Sequence, residues 1–280
     1  MNLQSAYTSL LYSTVRIEAV LPNGATSLGT AFHLVFAIDG MRNLPVLITN
    51  KHIVRGAVRM EFNLHNGSTD DNGQVTGPDG SWFTVTMPGG ESQWMMHPDD
   101  EVDLCAMPFE PLRLEAANHG KHPFIFPLPD SIIPNNEQLD NLSAMEDVVM
   151  AGYPLGLWDD VNNFPILRRG HTASHPVTDF QGKSQGAVDI ACFPGSSGSP
   201  VLIVNEGAFA TPSGLHAGTR VYLLGVLFAG PRFRAEGGVE IAAIPTQTRT
   251  EIPIHLGYYI KASQFLGLRN VLLAEATRAL

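Results

Sequence analysis

The sequence predicts an all-β protein of two packed barrels followed by a C-terminal helix. Strand-like apolar runs fall into two sets of similar size on either side of a proline-rich stretch. The 280 residues include 27 glycines and 20 prolines, a composition typical of strands joined by turns. We therefore expect an N-terminal barrel over residues 1–115, a connector over 116–144, a second barrel over 145–262 and a helix over 263–280.

The first set of strands is recognised by alternating apolar and other side chains, most clearly in residues 13–21. Turn signals at 22–24 and 39–40 separate this strand from the next two. Residues 65–80 are rich in Asn, Asp and Gly and are predicted to form a loop. The predicted elements of this set are the strands 13–21, 33–38, 45–49, 58–64, 81–87 and 103–107 and a short helical turn at 50–54.

Residues 108–143 contain six prolines and little strand pattern, so they are the predicted connection between the two barrels. After this connection the apolar runs resume. Helical apolar spacing near the end of the chain predicts a helix with Ser263 as its N-cap, packed on the second barrel. The predicted strands of the second set are 147–151, 166–174, 186–192, 200–204, 221–228 and 255–261.

Charge and apolar patterning exclude several classes of protein. The formal net charge is −10 and Lys and Arg form no dense cluster, which argues against nucleic-acid or anionic-membrane binding. We find no signal peptide and no run of about 18 apolar residues, so a cytoplasmic protein is expected. Two cysteines, Cys105 and Cys192, are too few for a disulfide scaffold, although the sequence leaves a single bridge open.

A Gly/Ser-rich turn, residues 195–200 (Gly-Ser-Ser-Gly-Ser-Pro), joins two apolar runs and places Ser197 near its centre. A serine nucleophile needs an adjacent base, and flanking glycines leave backbone N–H groups free to bind a developing oxyanion. A plain Gly/Ser-rich hairpin is the alternative. The turn taken alone favours neither interpretation.

His52 and Asp103 are the candidate base and orienting carboxylate. His52 follows the point where an apolar strand ends, and Asp103 is the last charge before a strand becomes apolar. A serine nucleophile, a histidine base and a carboxylate that orients the histidine form a hydrolytic triad. Their order along the chain is weak support, because most chains of this length contain it somewhere.

The local contexts of these three residues together resemble the trypsin-like serine peptidases, which have the two-barrel chymotrypsin fold, and are nearest the HtrA-type bacterial branch. The resemblance runs from about residue 13 to 262. It implies two packed six-stranded barrels. The matching segments are 49–54 (Thr-Asn-Lys-His-Ile-Val), 103–106 (Asp-Leu-Cys-Ala), 195–200, and the lesser features 29–32 (Gly-Thr-Ala-Phe), 152–156 (Gly-Tyr-Pro-Leu-Gly) and 257–260 (Gly-Tyr-Tyr-Ile).

The resemblance implies one role for each residue. Ser197 would attack the scissile carbonyl, and His52 would take the serine proton and later give it to the leaving amine. Asp103 would hold the imidazole in the useful tautomer. The N–H groups of Gly195 and Ser197 would form the oxyanion hole.

The resemblance also places a substrate pocket beside the nucleophile. Its base is the residue six positions before the serine, which is Ala191 here. Gly230 and Gly257 stand on the two walls, and segment 224–230, which includes Phe228 and Ala229, would pair with the substrate backbone. An uncharged pocket favours apolar side chains, so we expect cleavage after Leu, Val, Met or Phe and not after Lys or Arg.

Residues 231–254, between the two walls, have no predicted place in this scheme. Charged side chains of this segment could fold over the pocket and change its charge. Those side chains are Arg232, Arg234, Glu236 and Glu240.

Two departures from the family pattern limit what is carried over. Trypsin has an aspartate before the nucleophile, which pairs with a newly cut N-terminus, and this chain has Ser196 there. Activation by N-terminal cleavage is therefore not expected. About 18 residues follow Ala262, too few for the PDZ domain of HtrA proteins, so PDZ regulation and trimer assembly are not expected.

Other candidate sites have plainer explanations. The pairs His119/His122 and His171/His175 lack acidic or thiol partners nearby and are predicted to be surface histidines. Cys105 is predicted to be a small buried hydrophobe. No metal, nucleotide or haem site is predicted, and the expected partner is a protein or peptide substrate. Two alternatives to a constitutive enzyme stay open: a catalytically silent relative that binds peptides, and an effector whose activity depends on a regulatory partner.

Overall fold

The structure, a computed structural model, describes residues 5–39, 42–230, 232–241, 244–253 and 255–278. A short helix, α1 (Ala6–Leu10), precedes a nine-stranded, mainly antiparallel sheet. The main path of this sheet runs β5-β4-β1-β2-β3-β7-β6, with β8 paired to β4 and β9 paired to β2. Its strands are β1 (Thr14–Val20), β2 (Thr26–Ala37), β3 (Asn43–Thr49), β4 (Arg59–Thr69), β5 (Val75–Pro88), β6 (Met95–Met96), β7 (Cys105–Pro108), β8 (Pro123–Phe124) and β9 (Leu128–Pro129).

Three further α-helices accompany this half of the chain in the described residues: α2 (Lys51–Val54), α3 (Phe109–Asn118) and α4 (Asn136–Asp140). The connector is more structured than its prolines suggest, since it holds the end of α3, all of α4 and the two short strands β8 and β9. Asn135 accepts a hydrogen bond from the Gln138 N–H and forms a capping box, which fixes the start of α4. β8 and β9 both pair with strands of the first sheet. The predicted limits of the connector stay a prediction.

The second half of the chain forms a closed six-stranded barrel in the order β10-β11-β12-β19-β16-β13. Two hairpins, β14-β15 and β17-β18, are separate two-stranded sheets that the sequence did not reveal. The strands are β10 (Asp147–Gly152), β11 (Ile166–Thr172), β12 (Gln185–Asp189), β13 (Pro200–Asn205), β14 (Ala208–Thr211), β15 (Gly214–Ala217), β16 (Arg220–Ala229), β17 (Arg232–Ile241), β18 (Ile244–Pro253) and β19 (Leu256–Lys261).

The predicted fold class is confirmed: the protein is mostly β, with a closed six-stranded barrel, further sheet structure and a C-terminal helix, as expected of a chymotrypsin-like fold. The N-terminal half differs in detail, because its strand path is an open sheet among the described residues. The predicted loop over 65–80 is also corrected. β4 continues to Thr69 and β5 begins at Val75, so most of that segment is a paired hairpin.

The C-terminal helix, α5 (Phe265–Arg278), begins later than predicted, because Ser263 lies inside a preceding 3-10 turn, Ala262–Gln264. The helix was expected to pack on the second barrel, but it lies against the first sheet as well. The rings of Phe265 and Phe32 are 6.2 Å apart, and the Arg269 guanidinium donates to the Ala37 carbonyl. Buried residues of both halves belong to one apolar cluster with Phe265, Leu268 and Leu272.

Within the described ranges, no helix combines the length and apolarity that spanning a membrane requires. Cys105 and Cys192 are both free and buried. Burial raises the pKa of the Cys105 thiol well above its usual range, so this residue is the small buried hydrophobe that was predicted.

Candidate active site

His52 and Asp103 are brought together by the pairing of β3 with β7. Thr49 at the end of β3 lies opposite Cys105 at the start of β7. The chain turns into α2 after Thr49, which places His52 beside the residue that precedes this strand pair. The Asn50 side chain fixes the segment that carries Asp103, because its amide donates to the Asp103 carbonyl at 2.8 Å.

The Asp103 carboxylate holds His52 at two points. The His52 backbone N–H donates to Oδ1 at 2.9 Å, and Nδ1 lies 2.5 Å from Oδ2. An ionised carboxylate only accepts hydrogen bonds, so the proton of a neutral imidazole lies on Nδ1. Nε2 is then left with its lone pair, as a general base requires.

Two consecutive tight turns carry Ser197. In the first, the Ser196 N–H donates to the Phe193 carbonyl at 3.0 Å, and in the second the Ser199 N–H donates to the Ser196 carbonyl at 3.1 Å. The third residue of each turn is a glycine with φ of +85°, Gly195 and Gly198. This is the pattern of type II turns, and the preceding Pro194 suits the second position of the first one.

Ser197 and His52 line the same cleft, which has a volume of about 460 Å³. The Ser197 hydroxyl donates to the Phe228 carbonyl at 3.4 Å. Within the described part of the chain it makes no hydrogen bond with the His52 ring. The other residues lining this cleft are Thr26, Ser27, Leu28, Leu155, Gly156, Pro194 and Gly195.

The N–H groups of Gly195 and Ser197 have no acceptor among the residues that the structure describes. The Leu155 N–H donates to the Pro194 carbonyl at 2.6 Å, which holds that carbonyl toward Leu155. Carbonyl and N–H groups of one trans peptide point in opposite directions, so the N–H of Gly195 faces away from Leu155. The free donors are those that an oxyanion hole requires.

Thr30, buried on β2, joins the nucleophile loop to the first sheet. Its N–H donates to the Ser197 carbonyl at 2.9 Å, and its hydroxyl donates to the Gly195 carbonyl at 3.2 Å. Its own carbonyl accepts from the Thr49 hydroxyl at 2.7 Å. Thr30 therefore sets the position of Ser197 relative to the end of β3, after which the chain turns into α2, the helix that carries His52.

A cysteine side chain lies near the two glycines that are predicted to form the walls of the substrate pocket. A β-carbon built at Gly257 would lie 2.5 Å from Sγ of Cys192, and one built at Gly230 would lie 3.7 Å from its Cβ. Cys192 thus lies between the two predicted walls, next to Ala191. Burial raises the pKa of this thiol to about 11, so it stays protonated at neutral pH.

Arg168 on β11 lies against the segment that carries the pocket and the loop. Its Nη1 donates to the Ala191 carbonyl and to the Ser196 hydroxyl, both at 2.7 Å. Burial lowers the pKa of this guanidinium to about 10, and it is still a cation at neutral pH.

Sequence reasoning missed the roles of three residues: Thr30, Cys192 and Arg168. Thr30 lies in a motif that was noticed, but its contacts depend on a partner 167 residues further along the chain (197 − 30 = 167). Nothing in the alternation of β11 distinguishes Arg168 from its neighbour Arg169. Ala229 and the four charged residues of segment 231–254 lie outside the described side chains.

The predicted surface histidines are exposed at His119, His122 and His171, while His175 is half-buried. The expectation that they lack acidic partners is wrong for two of them, because Glu115 lies 3.4 Å from His119 and Asp147 lies 3.0 Å from His171. No group of His, Cys, Asp and Glu side chains suited to a metal ion occurs in the part of the chain that the structure describes.

Comparison with known proteins gives structural likeness only. Neither the protein-family models nor the curated proteins give a match. The Rv3671c protease of M. tuberculosis, in its active form, is 16% identical with a TM-score of 0.46, over 94% of this chain and 81% of that protein. The scabies mite inactivated protease paralogue S-I1 is 12% identical with a TM-score of 0.48, over 95% and 96%.

The protease Anisep of Arthrobacter nicotinovorans is 11% identical with a TM-score of 0.43, over 90% of this chain and 91% of that protein. These neighbours are all proteases, or a protease paralogue, of the trypsin and chymotrypsin fold. The TM-scores are below 0.5, so no activity is carried over from these proteins to this chain.

Proposed function

We propose that this chain is a serine endopeptidase that hydrolyses peptide bonds through Ser197, His52 and Asp103. The observation that carries the proposal is the cleft, which is lined by both Ser197 and a histidine held at two points by a carboxylate. A protein or peptide is the substrate, and no cofactor takes part.

Asp103 fixes the reacting tautomer. With the proton on Nδ1, the Nε2 lone pair of His52 takes the Ser197 proton as the hydroxyl oxygen attacks the substrate carbonyl. The imidazolium then gives this proton to the leaving amine, and an acyl-enzyme forms on Ser197. Water, activated by the same imidazole, hydrolyses that ester and regenerates the enzyme.

Charge that develops on the substrate carbonyl oxygen is stabilised by backbone donors. The unpaired N–H groups of Gly195 and Ser197 support this role, since donors already in place cost no reorganisation during the reaction. Loss of one such donor typically costs roughly 3 kcal/mol of transition-state stabilisation.

The proposed specificity is for cleavage after substrate residues with apolar side chains. Ala191, Cys192, Gly230 and Gly257 would surround the substrate side chain, and none of them is charged. Backbone groups of segment 228–230 would pair with the substrate strand, and the Phe228 carbonyl is the acceptor that Ser197 already engages. A lysine or arginine in such a pocket would be desolvated without a partner.

Labelling with a fluorophosphonate and hydrolysis of a peptide library test the proposal. The wild-type protein should be labelled and should cleave after apolar residues, whereas Ser197→Ala should do neither. Ser213→Ala, which alters an exposed serine of the β14-β15 hairpin, should behave like the wild type. Wild-type labelling that persists in Ser197→Ala would exclude the assignment.

A gated protease is the second candidate, and one observation favours it. The Ser197 hydroxyl donates to the Phe228 carbonyl, so it must rotate before His52 can take its proton. Catalytic hydrogen bonds often form only in the substrate complex. If the wild-type protein is labelled only after a peptide or partner protein is added, the gated form of the proposal holds and the constitutive form fails.

A further inference from the structure

Arg168 is a half-buried residue whose cationic guanidinium the proposed mechanism does not use. Its Nη1 bridges the Ala191 carbonyl and the Ser196 hydroxyl, each at 2.7 Å. The Nε and Nη2 groups are also buried and have no hydrogen-bond partner among the described residues. Within the same residues, no carboxylate lies within ion-pair distance of this guanidinium.

A buried charge without a carboxylate costs stability, because it loses its hydration and gains little in return. Unsatisfied buried donors are rare in native proteins, and each one needs an explanation. Such departures from good packing are expected where function outweighs stability.

Ser196 is the residue on which this cation acts. It ends the first tight turn through its N–H and starts the second through its carbonyl, so both turns share it. Gly195 and Ser197, the two proposed oxyanion donors, stand on either side of it. A shift of Ser196 therefore reorients both N–H groups together.

The second acceptor of Arg168, the Ala191 carbonyl, gives the guanidinium a further hold on the same loop. The Ala191 carbonyl belongs to the segment that leads from β12 into the first turn. The Arg168 guanidinium therefore links the segment that leads into the nucleophile loop to Ser196, the residue that both turns share. Arg168 itself lies on a strand of the closed barrel, so its own position is fixed by the barrel ladder, where it pairs with Met150.

We propose that Arg168 is a positioning residue for the oxyanion hole, holding Ser196 and Ala191 so that the N–H groups of Gly195 and Ser197 keep a common orientation. The inference rests on the proposed function.

Substitution of the guanidinium tests this role. Arg168→Met should lower kcat by about 10- to 100-fold and leave KM within about threefold, because substrate binding is kept while an oxyanion donor is misplaced. Arg168→Lys keeps the charge and one hydrogen bond, so its kcat should be intermediate. The control is Arg169→Met, which alters the exposed neighbour that pairs with Asp147 and should stay within about twofold of wild type.

Ser196→Ala removes the hydroxyl that accepts from Arg168 at 2.7 Å and from the Phe193 N–H at 3.3 Å, and it leaves the arginine and the barrel strand that carries it in place. It should lower kcat in the same way, and its loss should be less than additive with that of Arg168→Met, because both changes break the Arg168–Ser196 hydrogen bond. If Arg168→Met does not fold, Ser196→Ala decides: a lower kcat at constant KM supports the role, and a kcat within twofold of wild type overturns it.

Hydrogen exchange separates this inference from the proposed function. Peptides covering residues 193–199 should exchange faster in Arg168→Met than in Arg169→Met, while those covering β10 and β13 should not change. This readout needs no activity, so it decides the role of Arg168 even if the wild-type protein is not labelled by a fluorophosphonate and the proposed function fails. Equal exchange of residues 193–199 in the two variants would overturn the inference.

Discussion

Gly198 makes the closest backbone approach in the nucleophile loop. Its φ is +85°, and a β-carbon there would lie 1.8 Å from the Thr30 carbonyl oxygen. That carbonyl is part of β2 and cannot move away alone, since it already accepts the Thr49 hydroxyl. Only glycine satisfies both the conformation and the space at this position.

We expect Gly198→Ala to abolish most activity, by at least about 100-fold in kcat/KM, because the clash pushes Ser197 away from the cleft. Gly207→Ala is the control, since this glycine also has a positive φ (+91°) but no atom within 4 Å of the added β-carbon. The control should lose about 1 kcal/mol of stability and no activity. Steady-state kinetics and thermal unfolding measure both, and full activity in Gly198→Ala would contradict the loop geometry.

Cys192 narrows the proposed pocket. Its sulfur lies directly against Gly257, so removing the sulfur enlarges the space between the two walls. Cys192→Ala should therefore raise kcat/KM for substrates with Phe relative to those with Val at the cleaved position, by roughly 10-fold. Cys105→Ala, at the other buried cysteine, should leave this ratio unchanged. An unchanged ratio in Cys192→Ala would mean that the sulfur does not limit the pocket.

At the scale of elements, β2 carries a buried histidine that makes stability depend on pH. His33 packs against the ring of Phe109, neither of its ring nitrogens has a partner among the described residues, and burial lowers its pKa to about 4. The folded state keeps the ring neutral, whereas the unfolded chain takes up a proton near pH 6.5. Stability is therefore lost as the pH falls from about 6.5 to about 4.

His33→Leu should remove up to roughly 3 kcal/mol of this pH-dependent loss, the energy equivalent of the shift in pKa. Denaturant unfolding at pH 7 and pH 4.5 measures this effect: the free energy of unfolding should differ less between the two pH values in His33→Leu than in wild type. His119→Leu is the control, since the His119 side chain is 70% exposed and should leave the wild-type difference intact. Equal differences in all three proteins would exclude His33 as a cause.

The elements that sequence reasoning predicted well are those whose own residues determine them. β1 is an example: it alternates buried and partly exposed side chains, and both its limits lie within a residue or two of the prediction. The far part of the β4-β5 hairpin was not predicted, because it is polar and is stabilised by its cross-strand pairing, which a linear pattern does not show. The same holds for the β14-β15 and β17-β18 hairpins.

The candidate site was predicted in the same uneven way. His52, Asp103 and Ser197 lie in short motifs with characteristic neighbours, and the structure brings the first two into contact and the third into the cleft that His52 lines. Thr30 and Arg168 could not be found, because each acts through a contact between distant segments. The proposed reacting residues are marked by local sequence, whereas the residues proposed to position them are marked only by the fold.

At the scale of the whole molecule, one apolar cluster joins the two halves. It contains Phe32 and Leu34 of the first sheet, Leu202 and Val226 of the barrel, and Leu268 of α5. Removing any part of it exposes apolar surface of both halves. The protein is therefore expected to unfold in a single transition in spite of its two-part architecture.

Leu268→Ala tests this coupling. The side chain is fully buried, so we expect a loss of about 2–5 kcal/mol and a lower midpoint with the transition still single. Leu266→Ala, on the exposed side of the same helix, should cost less than about 1 kcal/mol. Calorimetry that resolves two transitions in Leu268→Ala would show that the halves unfold independently.

Thr30 has a consequence for protein engineering. It carries hydrogen bonds that join the Ser197 loop to the half of the chain that holds His52 and Asp103, so neither half alone contains the complete proposed triad. Two polypeptides divided within the connector would each be silent, and turnover would return only when they reassemble. Fused to a pair of interacting proteins, such fragments would form a complementation reporter. Its signal would require the hydrogen bonds between Thr30 on one fragment and the Ser197 loop on the other to form again.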